Sequence, residues 1–228
     1  MLKYINENYE CLRQEIDEAV RKRGGGEVEL VAVTKSGSDE ELLALLEAGA
    51  VDIGENRPQE LVRRGELLRS AGYTPRLHEI GNLQKNKVRH IIESVHMIHS
   101  VDSLELAREI DKRAKAIGRR VPILIEVNSG REEAKGGVMP EEAEELFLRI
   151  RELDSLIVSG LMTMGPVTDD PEDLRPYFRS TRELFDKLNA KYGFEGKPTL
   201  SMGMSDSFRV AIEEGSTLVR VGTRIFKK

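Results

Sequence analysis

Val28-Glu29-Leu30-Val31-Ala32-Val33-Thr34-Lys35-Ser36-Gly37-Ser38 decides the fold, because a strand-sized apolar run ends on a lysine and leads directly into the helical pattern of Asp39–Ala48. A strand followed at once by a helix is a parallel βα unit, covered on both faces. Outward from this stretch the same unit recurs. Further strands are predicted near Val51–Ile53, Arg76–Ile80, Met97–His99, Val121–Val127, Leu156–Leu161, Thr199–Leu200 and Leu218–Val221, giving eight in all. Further helices are predicted near Pro58–Ala71, Gln84–Glu93, Ser103–Ile117, Glu141–Glu152, Asp173–Tyr192 and Ser207–Glu213. An open doubly wound sheet normally carries a glycine fingerprint after its first strand, where this chain has Thr34-Lys35-Ser36-Gly37-Ser38. The fold class expected is α/β, a single closed (β/α)8 barrel of the TIM type.

Upstream, Ile5, Tyr9, Leu12, Ile16, Ala19 and Val20 recur at three- and four-residue spacings, so residues 1–23 form an extra amphipathic helix that Gly24-Gly25-Gly26 stops. Its apolar face packs either on the barrel or against a partner. No linker-like segment divides the chain, and residues 1–228 are expected to form one domain, with the barrel over 27–228. At 228 residues and 39% hydrophobic it can bury one substantial core. A net charge of −5 and a pI near 5.6 give no basic field to draw nucleic acid or an anionic membrane. No apolar run approaches the ~20 residues of a membrane span, and the single cysteine, Cys11, excludes an internal disulfide framework and suits the cytoplasm. Metal binding is not expected: His78, His90, His96 and His99 do not combine with cysteine or carboxylate spacings that make a zinc signal.

In a parallel barrel the C-terminal ends of all strands share one rim, so residues that follow their strands converge. Lys35, Asn56, Gly81-Asn82, Ser100, Asn128, Met162, Ser201 and Arg220-Gly222 occupy those positions after strands one to eight. Two loops near the end of the chain, Ser201-Met202-Gly203-Met204-Ser205 and Arg220-Val221-Gly222-Thr223, have the small residues that let backbone N–H groups approach a phosphate. A lysine amine forms a Schiff base with an aldehyde, and an arginine faces a ring nitrogen. Together they point to pyridoxal 5'-phosphate as cofactor, with Lys35 as its covalent anchor. The plainer reading of Ser201–Ser205 is a strand end, a turn and a helix cap; both readings hold together, since a capped helix start is also an anion site.

The whole chain resembles the pyridoxal phosphate homeostasis proteins, whose fold is like the N-terminal domain of bacterial alanine racemase. The matching segments are Ala32-Val33-Thr34-Lys35, Gly54-Glu55-Asn56, His78 through Lys87, Gly160-Leu161-Met162 and the two loops above. The resemblance implies a cofactor set of Lys35, Asn56, His78, Ser100, Met162, Ser201, Gly203, Met204, Ser205, Arg220, Gly222 and Thr223, with Arg220 beside the pyridine nitrogen. It implies a non-catalytic, monomeric, cytoplasmic protein that holds and supplies pyridoxal phosphate, touching recipient apo-enzymes only transiently. The alternative is a weak amino-acid racemase. In alanine racemase a tyrosine from a separate C-terminal domain stands opposite the lysine, and none of Tyr4, Tyr9, Tyr73, Tyr177 or Tyr192 is placed there by its position. A Schiff-base aldolase acting on a sugar phosphate shares the barrel, the lysine and the phosphate site.

Several residues keep two readings at this stage. Arg220 faces the cofactor or pairs inward with a carboxylate such as Glu126. His78 stacks near the cofactor or satisfies a core hydrogen bond. The run Lys85, Lys87, Arg89 and His90 is a solvated helix face or a rim that steers an anion. The polar loop Asn128–Gly137 is a lid or a long connection. Lys85, Asn82 and Ser36-Gly37-Ser38 depart from the commoner family pattern, which leaves the rim contacts open.

Overall fold

In the computed structural model, which describes residues 2–228, eight parallel strands close on themselves in chain order. They are β1 (Glu29–Val33), β2 (Asp52–Glu55), β3 (Arg76–Glu79), β4 (Met97–Val101), β5 (Val121–Glu126), β6 (Leu156–Met162), β7 (Thr199–Ser201) and β8 (Leu218–Val221). Each predicted strand is present, shifted by no more than a residue or two at its ends. Val31 of β1 pairs with Asp52 of β2 on one side and with Arg220 of β8 on the other, which closes the ring.

Around the barrel lie α1 (Lys3–Arg23), α2 (Asp39–Glu47), α3 (Pro58–Ser70), α4 (Val88–Ile91), α5 (Leu104–Ala116), α6 (Ala143–Ile150), α7 (Arg175–Tyr192), α8 (Phe208–Glu213) and α9 (Thr223–Phe226). Ser38 starts α2 with a reciprocal cap: its hydroxyl accepts from the Glu41 N–H at 3.2 Å, and its own N–H donates to the Glu41 carboxylate at 2.6 Å. This fixes the loop that carries Lys35. The segment Gln84–Glu93, expected as one helix, is instead a 3₁₀ turn over Lys85–Lys87 followed by the single turn α4. There the Lys87 N–H reaches Gln84 O, three residues back, so the longer i→i−4 ladder does not form. The helix α9 begins at Thr223, the last residue of the expected loop Arg220–Thr223, and has no counterpart among the predicted helices.

Period-two alternation splits the strand residues between two cores. Leu30, Ala32, Ile53, Leu77, Ile98, Ile123, Ile125, Leu200 and Val219 face the helices and belong to the large outer core. Inside the barrel, Met97, Leu124 and Met162 form a small separate cluster, and Asp52, His78, His99, Ser201 and Arg220 lie buried beside apolar residues such as Val31 and Leu218. The helix α1 lays Ile5, Leu12 and Ile16, all nearly inaccessible to solvent, on that outer core rather than leaving them for a partner. Each such side chain contributes roughly 1.5–3 kcal/mol by leaving water. Asn8 also ties α1 to the C-terminal segment, donating to Ile225 O at 3.0 Å and to Lys227 O at 2.8 Å. No described helix is long and apolar enough to cross a membrane.

Candidate functional site

At the C-terminal mouth of the barrel a cavity of about 440 Å³ is lined by Lys35, Asn56, Met204, Ser205, Arg220, Gly222 and Thr223 among the sequence-predicted residues. That volume suits a small cofactor. The strands explain the convergence. Because Val31 and Ala32 stand beside Arg220 and Val221, the ends of β1 and β8 deliver Lys35 and Thr223 to adjacent points on the rim. Gly222 makes the approach possible, since a Cβ there would lie 2.6 Å from Val33 O. Gly81 has the same role between β2 and β3, where a Cβ would lie 2.2 Å from Asn56 O.

Lys35 is exposed and forms no ion pair among the described residues. Arg220 is 4% exposed, and its guanidinium donates to Ser201 O at 3.0 Å, Ser201 Oγ at 2.5 Å and Thr163 O at 3.1 Å. Three of its five N–H donors are thereby used, and two remain for the cavity that it lines. Burial lowers its pKa to about 10, opposed by the nearby charge of Glu126, so it remains a cation at neutral pH. Glu126 accepts no hydrogen bond from Arg220, and the carboxylate partner considered from sequence acts on it only through space. Burial and the charge of Asp102 push Glu126 up to about 7, with Arg220 pulling the other way.

Five sequence-predicted residues do not line the cavity. His78 is buried in the barrel interior, with Nε2 at 2.8 Å from Asp52 Oδ1 and Nδ1 at 3.0 Å from His99 Nε2. Ser201 lies behind Arg220, its hydroxyl shared between that guanidinium and His99 Nδ1 at 3.1 Å. Met162 packs with Met97 and Leu124 below the floor. Gly203 takes a left-handed φ of 93° and lies close to Ala211, where its Cβ would approach to 2.5 Å. Ser100 is within β4, one residue after the inward His99, and is buried with its hydroxyl unpartnered. Two backbone donors assigned to a phosphate already have partners: Met204 N–H donates to Ser207 Oγ at 3.1 Å, and Gly222 N–H to Ser205 Oγ at 3.4 Å.

Sequence reasoning did not place Glu126, Lys135 or Asp206 in the lining. Glu126 was findable, as the last residue of β5 with the inward parity of Leu124. Lys135 was not, because a long loop brings it there. Val127 bridges to Val138, Asn128 exchanges bonds with Glu132 at 2.9 and 3.1 Å, and the Lys135 amine donates to Glu132 at 2.7 Å and to Gly165 O at 2.9 Å. The loop Asn128–Gly137 is thus folded back on the barrel, with Lys135 and Gly136 over the cavity. The basic run Lys85–His90 stays outside it.

The donor set suits pyridoxal phosphate: an unpaired amine for its aldehyde, two spare guanidinium N–H groups for a ring nitrogen, and hydroxyl and amide groups at Ser205, Thr223 and Asn56 for a phosphate. The model of the alanine racemase N-terminal domain family matches residues 5–228. The pyridoxal phosphate homeostasis protein of Aquifex aeolicus is 45% identical over 215 residues, covering 93% of both chains. The structure of PipY from Synechococcus elongatus, solved with pyridoxal phosphate bound, superposes with a TM-score of 0.85 at 28% identity, covering 97% of this chain and 99% of that one. An alanine racemase from Clostridium difficile shares the fold, with a TM-score of 0.78 at 18% identity over 59% of its length.

Proposed function

The chain belongs to the pyridoxal phosphate homeostasis proteins, within the alanine racemase N-terminal domain family, and from that premise we propose that it binds pyridoxal 5'-phosphate at the C-terminal mouth as a non-catalytic carrier. The observation that carries this reading is the presence, in one cavity, of an amine without an ion-pair partner among the described residues and a buried arginine with two uncommitted donors.

When bound, pyridoxal phosphate supplies an aldehyde for a Schiff base with Lys35 and a ring able to withdraw electrons. Lys35 holds by its amine. Arg220, a cation that donates but does not accept, would hold the ring nitrogen and disfavour a proton there, which would weaken electron withdrawal. Its bonds to Ser201 and Thr163 keep it from swinging away. Ser205, Thr223 and Asn56 hold the phosphate, with the loop carrying Lys135 above. No tyrosine is among the described lining residues, so a second proton-transferring base of that type does not face Lys35. These features favour capture and release over carbanion chemistry, as a monomer in the cytoplasm that supplies recipient enzymes through transient contact.

The test is titration with pyridoxal phosphate, borohydride reduction and peptide mapping, beside Lys35→Ala. The expected result is a visible band that borohydride fixes onto the peptide containing Lys35, absent in the variant. Solvent exchange of the alanine α-proton separates the roles: exchange no faster than with free cofactor fits a carrier, and rapid exchange would return the racemase reading.

A further inference from the structure

Behind Arg220 a line of buried polar groups crosses the barrel interior to the opposite mouth. It runs from the Arg220 guanidinium to Ser201 Oγ at 2.5 Å, then to His99 Nδ1 at 3.1 Å. From His99 Nε2 it continues to His78 Nδ1 at 3.0 Å, and from His78 Nε2 to Asp52 Oδ1 at 2.8 Å. Arg76 closes the far end, donating to Asp52 Oδ2 at 2.6 Å. Arg220 lines the C-terminal cavity, while Asp52 and Arg76 line a second cavity at the other end. His99 is completely buried, and Asp52, His78, Ser201 and Arg220 are all at least nine-tenths buried.

With both imidazoles neutral, donor and acceptor chemistry orients every bond in this line, because the carboxylate at its end only accepts. A guanidinium only donates, so Ser201 Oγ accepts from Arg220 and has its own proton to give. In a line of neutral rings that ends on the Asp52 carboxylate, that proton goes to His99 Nδ1, which accepts it. A neutral imidazole that accepts at Nδ1 carries its proton on Nε2, so His99 donates to His78 Nδ1. By the same rule His78 carries its proton on Nε2 and donates to Asp52. The carboxylate is the necessary terminus: burial pushes its pKa up, but bonds from His78 and Arg76 outweigh this and hold it below its ordinary value. An imidazolium at His99 would set a second cation against Arg220 inside the barrel. Burial first, with the nearby charge of Arg220 beside it, holds His99 well below the usual imidazole range.

We propose that Asp52, His78, His99 and Ser201 are positioning residues for Arg220, forming a one-way hydrogen-bond chain whose two imidazoles are neutral with their protons on Nε2. The Ser201 hydroxyl cannot turn to the cavity without abandoning both neighbours, so it anchors the arginine and leaves the phosphate to other groups. The consequence for cofactor rests on the function proposed above. With the chain intact, Arg220 presents a fixed donor edge to the ring nitrogen. With the chain broken, Ser201 loses its orientation and the guanidinium loses one of its three anchors.

Ring-nitrogen NMR on protein labelled with nitrogen-15 histidine, with no cofactor added, tests the chain directly. The expected result at pH 8 is a protonated Nε2 and an unprotonated Nδ1 for both His78 and His99. A proton on Nδ1 of either ring, or a charged His99 at neutral pH, would overturn the proposal. His99→Phe should weaken pyridoxal phosphate retention about tenfold, the size expected for disturbing one hydrogen bond to a charged group, and shift the bound absorption band. Borohydride should still fix the cofactor to Lys35. His99→Gln, which offers one donor and one acceptor, should restore the wild-type band. Wild-type retention and an unchanged band in His99→Phe would also overturn it, and if that variant does not fold, the ring-nitrogen spectra of the wild type decide alone. Should the wild-type protein fail to attach cofactor at Lys35, the functional reading falls while those spectra still judge the chain.

Discussion

The two mouths of the barrel are built from opposite ends of the same eight strands, and the larger opening is not the one that resembles a site. The N-terminal cavity measures about 590 Å³, yet two of its cations, Arg76 and Lys197, already face carboxylates. Arg76 pairs with Asp52 at 2.6 Å and with Glu29 at 3.6 Å, and Lys197 with Glu27 and Glu29 at 3.2 and 3.3 Å. At the C-terminal mouth, Lys35 has no carboxylate partner among the described residues, and Arg220 is held by carbonyls and a hydroxyl. An uncompensated amine marks a place where a ligand can supply the missing interaction, whereas cations already paired with carboxylates have less to gain.

Removing the uncompensated amine breaks this contrast most severely. Lys35→Ala should weaken pyridoxal phosphate binding by about 10³-fold, on the order of 4 kcal/mol, read by equilibrium dialysis. The buried carboxyl near the same rim sharpens it through pH. Burial raises Glu79 to about 8, opposed by the Gly81 N–H and aided by the charge of Glu55. A carboxyl with its folded pKa above its unfolded value favours the fold while protonated. Its stabilising contribution is therefore complete below about pH 4.5 and is lost as pH rises through about 8. Glu79→Gln should be about 3 kcal/mol more stable than wild type at pH 9 and close to it at pH 5, measured by urea unfolding.

A smaller effect follows from backbone proximity. Gly222→Ala places a methyl against Val33 O and should cost about 2 kcal/mol while displacing the rim around Lys35, seen as a lower thermal midpoint and weaker cofactor retention. The least effect is expected at the opposite mouth. Lys197→Ala removes half-exposed ion pairs and should change stability by less than about 1 kcal/mol, with pyridoxal phosphate binding unaltered. A binding loss there comparable to that of Lys35→Ala would end the distinction between the two ends.

The barrel was legible because each of its units is local. Val28–Val33 followed by Asp39–Ala48 announces a strand and a helix within some twenty residues, and repetition does the rest. Gln84–Glu93 was misread because its apolar spacing fits a helix, while Leu83, Val88, Ile91 and Ile92 are buried here by two short turns. Lys35, Asn56 and Arg220 were legible for the same topological reason: each follows or ends an apolar run, and a parallel barrel sends all such positions to one rim. Side-chain direction was not. Ser201 and Ser205 read alike in Ser201-Met202-Gly203-Met204-Ser205, yet one hydroxyl turns to His99 and Arg220 while the other lines the cavity.

By itself the sequence determined the order of strands and helices, the closed count of eight, and the set of strand ends from which a site can be drawn, because hydrophobic period and turn chemistry act over a few residues. Only the tertiary structure decided that His99 meets Ser201 across 102 positions of sequence, that the loop of Lys135 folds over the cavity, and that Arg76 and Lys197 at one mouth meet carboxylates while Lys35 at the other meets none among the described residues. Those outcomes depend on which faces the closed sheet turns inward and on the low-dielectric packing around them, where one hydrogen bond fixes the direction of the next.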